Sequence, residues 1–387
     1  MLDPIFELIK QEERRQKETL MLIPSENYAW PEVLVALGSC LTNKYAEGYP
    51  GKRYYQGNTL VDEIENLAIA RAKKLFGTPH ANVQPYSGSP ANQAVYLATC
   101  QVGERVLGME LAAGGHLTHG AKVSFAGRFY QASTYGVSSK DNCLDYEAIL
   151  SLAKRVKPKL VWAGATAYPR LFDWAKFSHI AQSVGAYLAA DISHYAGLIA
   201  GGVYPSPVKF VDLVTTTTHK TLRGPRGAII MVTAKGLWKD SDLAQKIDRA
   251  VFPGLQGGPH VNNIAAMAIA LRKAQSKDFK AYAWQVVKNA QALAAELIKL
   301  GFDLVTGGTD NHLLLIDLRR QKINGQDAAV KLERAGIVVN ANAIPFDPNP
   351  PRRPSGLRLG TPAVTALGLK EKEMISIARR ISRVLQS

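Results

Sequence analysis

A mostly parallel α/β sheet covered by helices, followed by a smaller α+β unit towards the C-terminus, is the fold class the sequence predicts. Three observations predict it. Short β-rich runs, Leu160-Val161-Trp162-Ala163, Tyr187-Leu188-Ala189-Ala190, Leu213-Val214-Thr215-Thr216-Thr217 and Ala228-Ile229-Ile230-Met231-Val232, follow one another with helical stretches such as 174–184 between some of them. That is the alternation of a doubly covered sheet. Two amphipathic helices bracket these runs, and beyond the second one the pattern changes to a different order of strands and helices.

The first bracketing helix is expected over 59–76, with Leu60, Ile64, Leu67 and Leu75 on one face and Gly77 where a helix would end. The second is expected over 278–300, with Phe279, Tyr282, Val286, Leu293, Leu297 and Leu300 at helical spacing and Gly301 just past the end. After it come the apolar run Leu313 to Leu318, a helix near 326–335, the run Ile337-Val338-Val339 and a last helix over 370–385. The Pro-rich stretch 345–354 reads as a loop. The expected division is an N-terminal arm with helices over 1–50, a large α/β unit over 51–265 and a small α+β unit over 266–387.

Bulk properties exclude several classes. The chain has 387 residues, 47% of them apolar and 20% charged, enough for a large core. Charges interrupt every apolar stretch of residues 1–15, so no secretory signal is expected there, and no run reaches the roughly 20 apolar residues of a membrane span. Cys40, Cys100 and Cys143 lie far apart without a Cys-x-x-Cys pair, which argues against a disulfide framework or a zinc site and fits a reducing cytoplasm. The formal charge of +15 suits acidic ligands; the basic residues are scattered among 32 acidic ones with no polybasic tract, so a dedicated nucleic-acid module is the weaker reading.

Parallel α/β sheets bind ligands beyond the carboxyl ends of their strands. Asp191 ends one strand pattern and Lys220 closes the threonine-rich one 29 positions later. Pyridoxal phosphate needs such a pair: a lysine amine to hold its aldehyde, and a carboxylate to keep its ring nitrogen protonated. The loop Gln84 to Asn92, with Ser87, Gly88 and Ser89, precedes a helical pattern and suits a phosphate. No Gly-x-Gly-x-x-Gly after a strand and no Gly-x4-Gly-Lys-Ser/Thr occurs, against dinucleotide or ATP-type binding.

Longer motifs carry a resemblance. Leu22-Ile23-Pro24-Ser25-Glu26-Asn27, the run Tyr45 to Tyr55, Gly114-Gly115-His116-Leu117-Thr118-His119-Gly120, Thr215 through Arg226, Phe252 to His260 and Ser355 to Ala363 together resemble the serine hydroxymethyltransferase family from end to end. The resemblance implies the pyridoxal-phosphate transferase fold type I and the transfer of serine's hydroxymethyl carbon to tetrahydrofolate, leaving glycine. It implies Lys220 as the cofactor lysine, Asp191 at the ring nitrogen, His116 on the ring face and His194 near the phenolic oxygen. Ser87, Gly88, Ser89, Thr166, Thr217 and His219 would serve the cofactor from one subunit, and Tyr45, Gly257 and Gly258 from its neighbour, in a homodimer, with a tetramer as the alternative.

Arg358 would take the substrate carboxylate with Ser25 and Tyr55 assisting, and Glu47 would handle a proton beside the substrate hydroxyl and the folate. Glu47, Tyr54, Leu111, Gly115, Leu117 and Asn342 would contact the folate. No metal is implied. Departures cluster on the pterin side: Asn340-Ala341-Asn342 replaces Asn-Lys-Asn, and Pro351-Arg352-Arg353-Pro354 replaces Pro-Phe-Val-Thr. Pro24 stands for the usual alanine, Gln56 for a glycine and Thr166 for a serine. A folate-independent pyridoxal-phosphate aldolase acting on β-hydroxy amino acids is the second reading, and a basic RNA-binding protein the third.

Overall fold

The computed structural model describes residues 3–386; Met1, Leu2 and Ser387 lie outside the described residues. Seven strands form the large sheet, in the order His80–Asn82, Ala228–Val232, Leu213–Thr217, Tyr187–Asp191, Leu160–Ala163, Arg105–Met109 and Gln131–Tyr135. All run parallel except Ala228–Val232, which is antiparallel to both neighbours. Central strands of such a sheet are covered on both faces, and Leu160–Ala163, Leu213–Thr217 and Ala228–Val232 are buried at every position. Alternate residues feed opposite cores: Val161, Ala163 and Val214 one, Leu160, Trp162 and Leu213 the other.

The covering helices begin and end where side chains or glycine satisfy their free backbone groups. Asp145 accepts from the Glu147 and Ala148 N–H groups to start Tyr146–Val156, and Asp173 accepts from Lys176 to start Trp174–Ser183. Gly77, at φ 72°, closes Thr59–Phe76 in the left-handed conformation that costs glycine nothing. The limits of that helix are as expected, but its buried face is not. Val61, Glu65, Ala68, Ala72 and Phe76 turn inward, whereas Leu60 and Leu67 are 70% and 50% exposed.

The reason is twofold. Small alanines let the helix lie close against Val261–Lys273, and Glu65 must be inside to meet Arg53 at 2.6 Å and the Gln84 amide at 2.8 Å. A buried carboxylate without those partners would be costly.

Four antiparallel strands make the small sheet, in the order Asp303–Leu304, Leu313–Asp317, Gly356–Gly360 and Asn340–Asn342. Helices Gly325–Arg334 and Glu371–Gln386 enclose its own core around Leu314, Leu332, Leu357 and Ile377. The N-terminal segment joins it: Leu20–Met21 pairs in parallel with Ile337–Val338. Helix Lys277–Lys299 spans both cores, with Phe279, Ala283 and Val286 in the large one and Leu293 and Leu297 in the small one. We propose this helix as the strap through which the large unit passes into the small one.

Candidate active site

Where the carboxyl ends of Tyr187–Asp191 and Leu213–Thr217 face the small sheet lies a cavity of about 330 Å³. Ser25, Gly88, Gly115, His116, Thr166, Asp191, His194, Thr217, Lys220, Asn342 and Arg358 line it, together with Leu111 and Leu117. Strand ends of a parallel sheet supply the chemistry here, and the small sheet supplies the lid side.

Asp191 is 7% exposed and fully engaged. Its Oδ2 accepts from Asn92 Nδ2 at 2.9 Å and meets His119 Nε2 at 3.1 Å, while Oδ1 accepts from the Ser193 N–H at 3.0 Å. Burial alone would raise this carboxyl, but the hydrogen bond and charge of His119, with His116 and Ser193 adding, hold it well below the usual carboxylate range. His119 is itself stacked on Trp162, with ring centroids 5.2 Å apart. Asn92 is fixed in turn by accepting from Thr215 Oγ1 at 2.8 Å.

Lys220 follows its strand and donates from Nζ to Thr217 Oγ1 at 2.7 Å. Burial pushes its amine down to about 8; Asp191 opposes that shift, and Arg358 and Arg226 add to it. An amine so placed is partly deprotonated near neutrality, which is what attack on an aldehyde needs.

At the third side of the cavity, Gly88 opens helix Gly88–Thr99, between Ser87 and Ser89. Ser87 makes no side-chain cap, so the first N–H groups of the helix are left for a ligand. A Cβ on Gly88 would lie 2.8 Å from the Thr217 Cγ2 methyl, so only glycine leaves that approach open.

Arg358 stands in the middle of Gly356–Gly360, with Nε donating to Asn340 Oδ1 at 3.1 Å and Nη1 to the Thr166 carbonyl at 2.6 Å. Burial lowers even this guanidinium, to about 10. Ser25 reaches the cavity from a turn that packs through Pro24 on Gly360, where a Cβ would come 2.6 Å from the Pro24 Cα. Thr166 keeps the hydroxyl of the serine it replaces and donates to the Gly115 carbonyl at 3.1 Å. His116 is lowered to about 4 by burial and by His119 and Lys220. His116, His119 and Asp191 hold ligand-type atoms within 4.8 Å of one another, but Asp191 Oδ2 is already taken by Asn92 and His119.

Several expected residues sit elsewhere. Tyr45, Glu47, Tyr55, Gly257 and Gly258 form a second cluster: Tyr45 Oη donates to Glu47 Oε1 at 3.3 Å, and the Tyr45 and Tyr55 rings lie 4.9 Å apart. A Cβ on Gly257 would lie 3.1 Å from Glu47 Oε1, and one on Gly258 3.2 Å from the Tyr45 ring. Tyr54 packs on Phe252, at 5.8 Å between centroids. None of these six lines the Lys220 cavity of its own chain.

His219 lines a separate cleft with Glu26, Asn27 and Arg226. Arg353 is paired with Asp327 at 3.0 Å, on the surface. Sequence reading missed Asn92, His119, Ser193 and His312. His119 stood inside a quoted motif, Asn92 closed the phosphate loop and Ser193 followed Asp191, whereas nothing in the sequence marks His312.

A family model described as serine hydroxymethyltransferase matches residues 2–381. The chain belongs to the serine hydroxymethyltransferase family. Relatives named serine hydroxymethyltransferase include one from Desulfotalea psychrophila, 55% identical over 386 residues that cover 100% of this chain and 89% of the relative. Others are from Sorangium cellulosum, 55% identical over 387 residues covering 100% and 90%, and from Acidothermus cellulolyticus, 54% identical over 383 residues covering 99% and 88%.

The family is of pyridoxal-phosphate fold type I, is a transferase family, and its reaction interconverts serine and glycine with tetrahydrofolate. Neither the folate-independent aldolase nor the RNA-binding reading finds support in these likenesses. No described helix is long and apolar enough to cross a membrane.

The residues present fit pyridoxal phosphate. An amine poised near neutrality, a carboxylate kept ionised by three donors and an uncapped helix N-terminus line one cavity, one for each of the cofactor's aldehyde, ring nitrogen and phosphate.

Proposed function

We propose that this chain interconverts serine and glycine in the cytoplasm, passing serine's hydroxymethyl carbon to tetrahydrofolate, with pyridoxal phosphate held on Lys220. The observation that carries the reading is the Asp191 carboxylate, tied by Asn92, His119 and Ser193, lining the same cavity as the Lys220 amine.

When bound, pyridoxal phosphate supplies an electron sink for the bond at the amino acid's α-carbon. Asp191 keeps a proton on the ring nitrogen, because a carboxylate held this far below its usual range stays charged at any working pH. His116, which lines the same cavity, would cover one ring face. The Gly88–Thr99 N-terminus, with Ser87, Ser89 and Thr217, holds the phosphate. Arg358 takes the substrate carboxylate on its planar fork, which Asn340 and Thr166 hold in one orientation, and Ser25 assists. Lys220 gives and takes a proton at Nζ as substrate enters and product leaves. Leu111, Gly115, Leu117 and Asn342 form the folate side of the cavity, with the two leucines 46% and 45% exposed at its mouth.

A second copy completes the site. Tyr45, Glu47, Tyr54, Tyr55, Gly257 and Gly258 are gathered in one place, away from their own cavity, and Tyr45, Tyr54 and Tyr55 are 53%, 72% and 44% exposed. Leu34, Val35, Leu60 and Leu67 are exposed as well, on two helices that both pack against Val261–Lys273. In a two-fold dimer each copy offers Glu47 and Tyr55 to the other's substrate and receives the same in return. Glu47 then exchanges the proton of the serine hydroxyl, and Tyr55 joins Arg358 at the carboxylate.

The test is serine cleavage measured with and without tetrahydrofolate. Strong stimulation by folate is expected; equal rates would overturn folate transfer and leave an aldolase.

A further inference from the structure

Beside His194 sits a second buried imidazole, His312, which does not itself line the cavity. His194 Nδ1 lies 3.2 Å from His312 Nε2, and the two rings stack with centroids 5.4 Å apart at 23°. They are 3% and 0% exposed. His194 follows the Asp191 strand of the large sheet, and His312 leads into Leu313–Asp317 of the small one, so the pair joins the two units. His312 is held in place: Thr361 donates its N–H to the His312 carbonyl at 3.1 Å, and Tyr195, stacked on Tyr204, meets its ring edge-on at 6.1 Å.

Burial keeps both rings neutral, with the cationic Lys220 and Arg358 acting in the same direction on each and His116 on His194. A neutral imidazole has one N–H and one bare nitrogen, so the 3.2 Å contact admits two arrangements. In one, His312 carries its proton on Nδ1, accepts at Nε2 and leaves that N–H buried with no acceptor, since His312 Nδ1 has no partner. In the other, His312 donates from Nε2 and leaves only a bare lone pair at Nδ1. Orphaned buried N–H groups are the rarer and costlier case, so the second arrangement wins. His194 Nδ1 then accepts, and its own proton must be on Nε2, the nitrogen left for the cavity that His194 lines.

We propose that His312 is a positioning residue that fixes His194 as its Nε2–H tautomer, so that His194 offers the cavity a hydrogen-bond donor aimed at an anionic ring oxygen. The identity of that oxygen as the cofactor's rests on the function proposed above; the tautomer does not.

The test starts from cofactor-free protein labelled with 15N-histidine, whose proton–nitrogen correlations report which ring nitrogen of His194 bears hydrogen. Hydrogen on Nε2 alone is expected; hydrogen on Nδ1, or a mixture, would overturn the proposal. His312→Gln keeps a donor near the Nε2 position and should preserve the tautomer. His312→Phe keeps the ring shape without a donor and should release it. With pyridoxal phosphate added, the Phe variant should bind up to about tenfold more weakly, the net worth of one hydrogen bond, and shift the visible band, while Gln restores both. Should the Phe variant fail to fold, the wild-type spectrum and the Gln variant still decide. Absent folate stimulation in a protein with the expected tautomer would overturn the functional reading and leave this one standing.

Discussion

Replacing Asp191 by asparagine changes one atom of the buried network and reverses its role. The amide can keep Oδ1 for the Ser193 N–H, but its Nδ2 would face Asn92 Nδ2 at 2.9 Å and His119 Nε2 at 3.1 Å, donor against donor. At about 1.5–3 kcal/mol for a hydrogen bond to a charged group, two lost bonds come to about 3–6 kcal/mol. His119 can return part of this by moving its proton to Nδ1, which has no partner. The expected loss in Asp191→Asn is therefore about 3–5 kcal/mol, the range of a broken buried pair. Urea unfolding of the cofactor-free protein at one fixed protomer concentration reads it.

The pH dependence has a definite sign. The folded carboxyl is held below its unfolded value, so its contribution is fully present above about pH 4 and is lost as pH falls through the folded value. The gap between wild type and variant should thus be wide at neutral pH and close only in strong acid. A variant within about 1 kcal/mol of wild type at pH 7 would refute the claim that Asn92, His119 and Ser193 hold an ionised Asp191.

Other expectations follow from single contacts. Gly88→Ala sets a methyl 2.8 Å from Thr217 Cγ2 and should weaken pyridoxal phosphate binding by tenfold or so, about 1.4 kcal/mol; Thr217→Ser, which removes that methyl, should restore most of it in the double variant, as titration of cofactor absorbance would record. Uptake of pyridoxal phosphate by the cofactor-free protein should accelerate with pH and reach half its plateau near 8, because the neutral Lys220 amine is the attacking form; Arg358→Gln should move that midpoint upward, and stopped-flow absorbance measures both. Mixing Lys220→Ala with Glu47→Gln, each inactive alone, and allowing subunits to exchange should recover roughly a quarter of wild-type activity if sites are shared across a two-fold dimer, and none if Glu47 serves its own chain.

Four of the large sheet's seven strands were legible because their apolar runs are decisive, whereas His80–Asn82, Arg105–Met109 and Gln131–Tyr135 were not read from the sequence. Leu160–Ala163, Leu213–Thr217 and Ala228–Val232 are apolar or threonine-rich without interruption, and each is buried throughout. Thr59–Phe76 shows the limit of such reading. Bulk suggested the leucine face, but packing chose alanines that admit a neighbouring helix and a glutamate that answers Arg53, facts stored in other parts of the chain. Lys220, Asp191 and Gly88 were readable from strand ends and the phosphate loop, since local position alone brings them to one edge of the sheet.

His119, Asn92 and His312 were not readable, because their work is to fix other side chains across separations of 72, 99 and 118 residues. His219 shows how adjacency in sequence and placement in space can part. It adjoins Lys220 in sequence, but the turn that aims the lysine into the cavity turns the histidine into the cleft beside Arg226.

The central claim is that Lys220 carries the cofactor. Protein loaded with pyridoxal phosphate, reduced with borohydride and digested should yield one pyridoxyl-labelled peptide, with the label on Lys220, and Lys220→Ala treated alike should yield none. A label on another lysine, or an unlabelled wild type, would contradict the account.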